Sequence, residues 1–367
     1  MYALIKTEHV GCPNPLCSNP GDNLISENCK AILKKEFNLD CACEIAYDRL
    51  SEEAIAEINR CDFAIYSCLT PTNRSIERYL ARMLSRIRVP IIPASVSFLL
   101  PPELGCEGFV GYRYTPENRA IIARLFDGLS CIPTRDYLGE RILKNNGFAH
   151  AQTVGDWALF RGGNLVRDMR APAEIRTLVF TMGHYHSLYL AQAKGIMRYL
   201  RRRFPHARVI FSTHCETPHP VVLRVARELD FHVEYTAYAC ASLEFYSACD
   251  LHLGYRLHGH VKALSCGVPS ILLAEDSRGW GFSCTLDNVG VFPAFCDATL
   301  PSSGGRWKRG KSAIARPAEA LIAQIEQHLA RCFASEFLPY RGVADKIELL
   351  YRQRLLPYLQ AAIGSRQ

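Results

Sequence analysis

Residues 247–282 read SACDLHLGYRLHGHVKALSCGVPSILLAEDSRGWGF, and their pattern decides the fold. Asp250–Gly254 is an apolar run of strand length, and Leu257–Cys266 has helical spacing. Gly267 and Pro269 stop that helix, and Ser270–Ala274 is a second apolar run. The order strand, helix, strand predicts a parallel pair inside an α/β sheet. Arg256 and His258 then stand where a strand hands over to a helix N-terminus, on the ligand edge of an open sheet. The unpaired N–H groups and positive end of that helix, with Arg256, make an anion pocket. His258 adds a side chain able to exchange a proton near neutral pH. Any doubly wound domain can carry Arg and His at such a turn, so Arg256-Leu257-His258 alone does not separate a binding site from a structural one.

The same alternation extends in both directions. Strands at Tyr2–Lys6, Asp62–Tyr66, Val89–Ser95 and Asp127–Pro133, with helices near 23–37, 73–88, 116–127 and 135–145, predict a parallel sheet covered on both faces. Gly, Arg and Pro break the rhythm at 161–172, which reads as a linker. Strands Thr177–Thr181, Arg208–Ser212 and His232–Tyr235, with helices near 187–203, 218–229 and 241–248, lead into the opening stretch. The expected fold is α/β: two Rossmann-like doubly wound domains facing a central cleft. They span 1–165 and 173–330, and a helical segment at 331–367 packs its last helix back on the first. Residues 294–312 lack periodicity and hold the run Ser302-Ser303-Gly304-Gly305, so a mobile loop is expected there.

A chain of 367 residues, nearly half of them apolar, is large enough for two cores. Its 16 cysteines are scattered without a framework and read as free thiols. Cys12 with Cys17, Cys41 with Cys43, and His214 with Cys215 are the nearest things to ligand pairs, and each lacks a second half. No metal site is therefore expected. No apolar run approaches the ~20 residues of a membrane span. The start is too short for a signal-peptide core, so a cytoplasmic protein is expected. The net charge is +7, with basic residues at Arg78, Arg82 and Arg86, at Arg201–Arg203, and at Lys308, Arg309 and Lys311. These are solvated faces, or they draw an anionic substrate or the inner face of a membrane as a peripheral contact. No nucleic-acid motif is present, so nucleic acid is not expected as a partner.

The block Gly254, Tyr255, Arg256, Leu257, His258, Ala263, Gly267, Pro269, Arg278 resembles the signature of the polysaccharide pyruvyl transferase family. Arg278 stands where that family usually has Lys. Asn19-Pro20-Gly21-Asp22 resembles the family's N-terminal Asn-x-Gly-Asp turn. Arg135-Asp136, Gly147 and Asp156 resemble its mid-chain Arg-Asp pair and the Asp at the domain junction. Two departures fall on expected cleft loops: Ser67–Pro71 replaces a Gly-Gly turn, and Gly183-His184-Tyr185-His186 stands where some relatives place Arg. The resemblance implies a GT-B-like architecture and a transferase that forms a pyruvyl ketal on a sugar. The donor would be phosphoenolpyruvate, with no further cofactor, and the acceptor a glycan or lipid-linked sugar. On that reading His258 is the acid–base group and Asp22 a second catalytic candidate. Arg256, Leu257, Arg278, Asn19, Gly21, Arg135 and His184 would bind substrate. Asp22 is also a natural helix N-cap, and Arg135-Asp136 a natural ion pair and cap. Two alternatives stay open. A nucleotide-sugar glycosyltransferase of the same fold would use Glu275 or Asp276 on a ribose. A silent member would bind a glycan or act as a scaffold.

Overall fold

A computed structural model describes residues 1–6, 19–47, 50–214, 219–236, 240–296 and 315–364. The Lys308–Lys311 cluster, Ser18, Cys12, Cys17, Cys215 and all of the expected mobile loop beyond residue 296 lie outside them.

Two parallel sheets carry the chain. The first is ordered β2 (Cys41–Ala46), β1 (Tyr2–Lys6), β3 (Phe63–Tyr66), β4 (Ile91–Pro93). Parallel bridges Leu69–Val96 and Val96–Thr134 carry its ladder on to β5 (Ile132–Thr134) and β6 (Ala151–Thr153). Leu69, within the Ser67–Pro71 stretch, thus continues the sheet together with Val96. In the second sheet, strands β7 (Thr177–Thr181), β8 (Arg208–Ser212), β9 (His232–Glu234), β10 (Leu251–Gly254), β11 (Ser270–Ala274) and β12 (Val291–Pro293) are ordered β12-β11-β10-β7-β8-β9. Chain order reverses between β7 and β10, which splays their carboxyl ends and opens the crevice where doubly wound sheets bind ligands. Both central strands are buried on both faces, hence their unbroken apolar runs.

Several elements differ from expectation. Helix Pro20–Phe37 starts earlier than read: Asn19 is its N-cap, accepting the Gly21 N–H, and Pro20 opens it. Asp22 therefore sits in the first turn and is not the cap. The helix expected at 241–248 is a 3₁₀ helix, Cys240–Ala248. The linker begins as a 3₁₀ turn, Arg161–Gly163, and then runs without regular structure to β7. It lies against the signature block, with the Arg170 N–H donating to the Gly267 carbonyl at 2.7 Å.

The two sheets are locked to each other next to the crevice. Ser277 Oγ donates to the Phe98 carbonyl and accepts the Leu100 N–H, both at 2.8 Å. The Tyr137 N–H donates to Thr285 Oγ1 at 3.1 Å. The last helices return to the first sheet: Tyr351 Oη donates to Glu36 at 3.0 Å and Tyr358 Oη to the Pro93 carbonyl at 2.6 Å. The Tyr358 bond is buried, so Tyr358→Phe is expected to destabilise the protein by about 1–3 kcal/mol. A lowered denaturant midpoint with unchanged secondary structure would show it.

Candidate functional site

Strand ends of the second sheet build the site. β7, β8, β10 and β11 deliver His184, His214, Arg256 and Glu275 to one cleft, which Asn19 enters from the first half. Leu257, His258, Asp276 and Arg278 also line it.

Arg256 caps helix Leu257–Ser265. It is 4 % exposed, so its charge is held in the wall of the cleft. Its N–H donates to Thr181 Oγ1 at 3.3 Å, and Nε donates to the Met182 carbonyl at 2.9 Å. One terminal nitrogen meets the His184 ring, 2.8 Å from Nδ1. The β7 loop thus aims the guanidinium along the helix N-terminus, where cation and dipole act on the same anion.

His258 lies one residue inside that helix and faces the first half of the chain. Its Nε2 is 3.6 Å from Asp156 Oδ2, and Asp156 is fully buried. Burial alone would raise the Asp156 carboxyl. The pull of His258, then Arg135, then the Ala158 N–H outweighs it, and the net shift is downward. Arg135 stands behind, 3.9 Å from Asp156 and 3.1 Å from Asp136, and is 2 % exposed. Arg135 is therefore a buried counter-charge to the Asp156–His258 pair and not a cleft-lining cation. Asp22 lies outside the lining as well, and the carboxylate facing His258 is Asp156.

Gly21 explains itself against His258. A Cβ on Gly21 would stand 2.0 Å from His258 Nδ1. Its φ is not in the left-handed region, so the glycine serves close approach and not the turn geometry read from the sequence. Gly21→Ala would normally favour a helix by about 0.5–1 kcal/mol, but here overpacking of about 1–3 kcal/mol outweighs that. The expected outcome is a lower melting temperature, and a crystal structure of the variant should show His258 displaced from Asp156.

Arg278 is engaged by its neighbour: its terminal nitrogen donates to Asp276 Oδ2 at 2.6 Å, and Asp276 Oδ1 accepts the Arg278 N–H to cap helix Ser277–Thr285. Glu275 accepts the N–H groups of His184 at 3.0 Å and Tyr185 at 3.2 Å. Burial, then Asp276, pushes its carboxyl up to about 7. Among the described residues, no group of three His, Cys, Asp or Glu is placed to hold a metal ion. Cys29, Cys68, Cys249, Cys266 and Cys332 are buried free thiols.

The model of the family described as polysaccharide pyruvyl transferase matches residues 19–277, which hold every cleft residue through Asp276. The chain belongs to this family. No curated protein matches it. A Listeria monocytogenes protein assigned as a UDP-N-acetylglucosamine 2-epimerase superposes with TM-score 0.53 at 11 % identity, covering 100 % of this chain and 97 % of that one. The S. aureus MnaA–UDP complex does so with TM-score 0.53 at 11 % identity, covering 99 % and 97 %. At such identity the likeness shows the shared two-domain GT-B fold.

Because folding raises the Glu275 pKa from 4.5 to about 7, the folded state holds a proton there that the unfolded chain has lost. That contribution to stability is full below about pH 4.5 and is lost as pH rises through 7. Subtracting the melting profile of Glu275→Gln from that of wild type should therefore leave a stability difference that falls with rising pH across this window. A flat difference would contradict the shift.

Proposed function

We propose that this transferase installs a pyruvyl ketal on a sugar of a cell-surface glycan or its lipid-linked precursor, with phosphoenolpyruvate as donor. The observation that carries the reading is the Arg256–His258 turn: a buried guanidinium, a helix N-terminus and an imidazole set against Asp156, all on one cleft. Arg256 and the helix N-terminus take the carboxylate and phosphate, two anions too close together to be bound without fixed cations. His258 gives a proton to the terminal enol carbon. The neighbouring carbon becomes an oxocarbenium-like centre, and an acceptor hydroxyl attacks it and returns its proton to His258. The C–O bond to phosphate then breaks, phosphate leaves with the electron pair, and a second hydroxyl of the same sugar closes the ketal as its proton passes to the departing phosphate. Asp156 orients the His258 ring and sets a fixed negative charge beside the proton it carries. Arg278, already paired with Asp276, steadies the helix N-terminus next to the leaving phosphate. No metal or organic cofactor is needed.

The nucleotide-sugar reading requires a carboxylate for a ribose. Glu275 is committed to the His184 and Tyr185 N–H groups and Asp276 to Arg278, which favours the smaller donor.

Purified protein incubated with glycan acceptors and each donor, followed by mass measurement, separates the two. A product heavier by pyruvate less water, with phosphate released, is the expected result. Sugar addition with nucleotide diphosphate release would overturn it. His258→Ala should lower turnover by about 10²–10⁴-fold per folded molecule, and should lower the melting temperature as well because buried Asp156 loses its partner. Arg256→Lys keeps the charge and loses the planar fork, so it should weaken phosphoenolpyruvate binding roughly 10-fold or more. Unchanged activity in either folded variant would remove that residue from its role.

A further inference from the structure

His214, at the carboxyl end of β8, lines the same cleft and is 1 % exposed. Its backbone is left-handed, at φ 48°, a costly conformation for a side-chain-bearing residue and one that clusters at ligand sites. Hydrogen bonds on two sides hold it there. The His214 N–H donates to Thr236 Oγ1 at 2.9 Å. Thr236 Oγ1 lies 3.3 Å from Ser212 Oγ, and Tyr246 Oη lies 2.7 Å from His214 Nε2.

The proton between Tyr246 and His214 has a preferred side. Among the described residues, the contact with His214 Nε2 is the hydrogen bond that the buried Tyr246 hydroxyl makes, so the hydroxyl must donate there to place its own proton. Nε2 is then an acceptor and the ring proton must sit on Nδ1. His214 Nδ1 is buried and has no hydrogen-bond partner among the described residues. Burial, then Arg256, His252 and His258, holds the ring well below its ordinary pKa, so it stays neutral. A buried donor without a partner is costly unless a ligand supplies the acceptor.

We infer that His214 is a further substrate-contacting residue, whose neutral imidazole presents Nδ1–H to an anionic oxygen of the donor gripped by Arg256. Arg256 supplies charge; His214 supplies direction, since a neutral donor discriminates the orientation of a polyanion without adding to its general attraction. This rests on the phosphoenolpyruvate reading of the cleft.

The tautomer can be tested without substrate. Long-range ¹H–¹⁵N spectra of the full chain labelled at histidine, with His214 assigned by its loss in His214→Asn, should show the proton on Nδ1. Free histidine prefers Nε2, so Nδ1 is a signature that simple packing would not produce. Tyr246→Phe, which removes the donor to Nε2, should return the proton to Nε2. A wild-type ring protonated on Nε2 overturns the inference. The contact is tested by two variants. In His214→Asn the amide nitrogen overlays Nδ1 and Asn tolerates the left-handed backbone, so calorimetric affinity for phosphoenolpyruvate should stay within about threefold. In His214→Gln the amide lies at the Nε2 position, and affinity should fall about 10- to 100-fold. Equal affinity in both variants overturns the contact. If wild type has no affinity for phosphoenolpyruvate, the donor assignment falls instead. Inorganic phosphate titrated into the same variants then decides His214: selective weakening in His214→Gln supports it, and equal binding overturns it.

Discussion

The approach of His258 to Asp156 is the contact on which the rest depends. It joins a helix of the second sheet to the last turn of the first half, and it is buried from both sides. An Asp–His pair in such a place costs desolvation, and Arg135 offsets part of that cost by standing behind Asp156. Gly21 exists to let the first helix close over His258. Ser277 and Thr285 hold the two sheets at the distance this pair requires, and Trp157, whose Nε1 donates to the Ala94 carbonyl at 2.9 Å, fixes the turn after Asp156 on the first sheet.

The charges around the cleft are arranged in layers. Arg256 faces the cleft and is aimed by the β7 loop, which Glu275 fixes in turn through the His184 and Tyr185 N–H groups. Asp276 and Arg278 neutralise each other at the next helix start. The cleft therefore offers one buried guanidinium, one helix N-terminus and several imidazoles. That set suits a small anion that must be gripped at one end and protonated at the other.

Much of the second sheet was legible in the sequence. Thr177–Thr181, Arg208–Ser212 and Ser270–Ala274 are bounded as read because strands buried on both faces are written as unbroken apolar runs. β2 was missed because Cys41–Ala46 is half exposed and carries Glu44. Helix Gly105–Val110 was hidden by its glycines, as was Ser277–Thr285, where Gly281 lets the helix approach Leu138 and Asp136. Arg256, Leu257 and His258 could be read as one turn because they are consecutive between a legible strand and a legible helix. The pairing of His258 with Asp156, and the placing of Asp22 outside the lining, depend on how the two sheets meet. No local pattern records that. His214 gave no signal beyond a weak Cys neighbour, because its environment is assembled from Ser212, Thr236 and Tyr246 on three separate segments.

The central claim is that the turn after β10 is where the donor reacts. A crystal structure of the protein with phosphoenolpyruvate tests it most directly. The account predicts an anionic group of the donor bonded to the Arg256 guanidinium and the helix N-terminus, with the terminal enol carbon about 3–3.5 Å from a ring nitrogen of His258. Donor density elsewhere in the protein, or at Arg256 with the enol carbon turned away from His258, would contradict it.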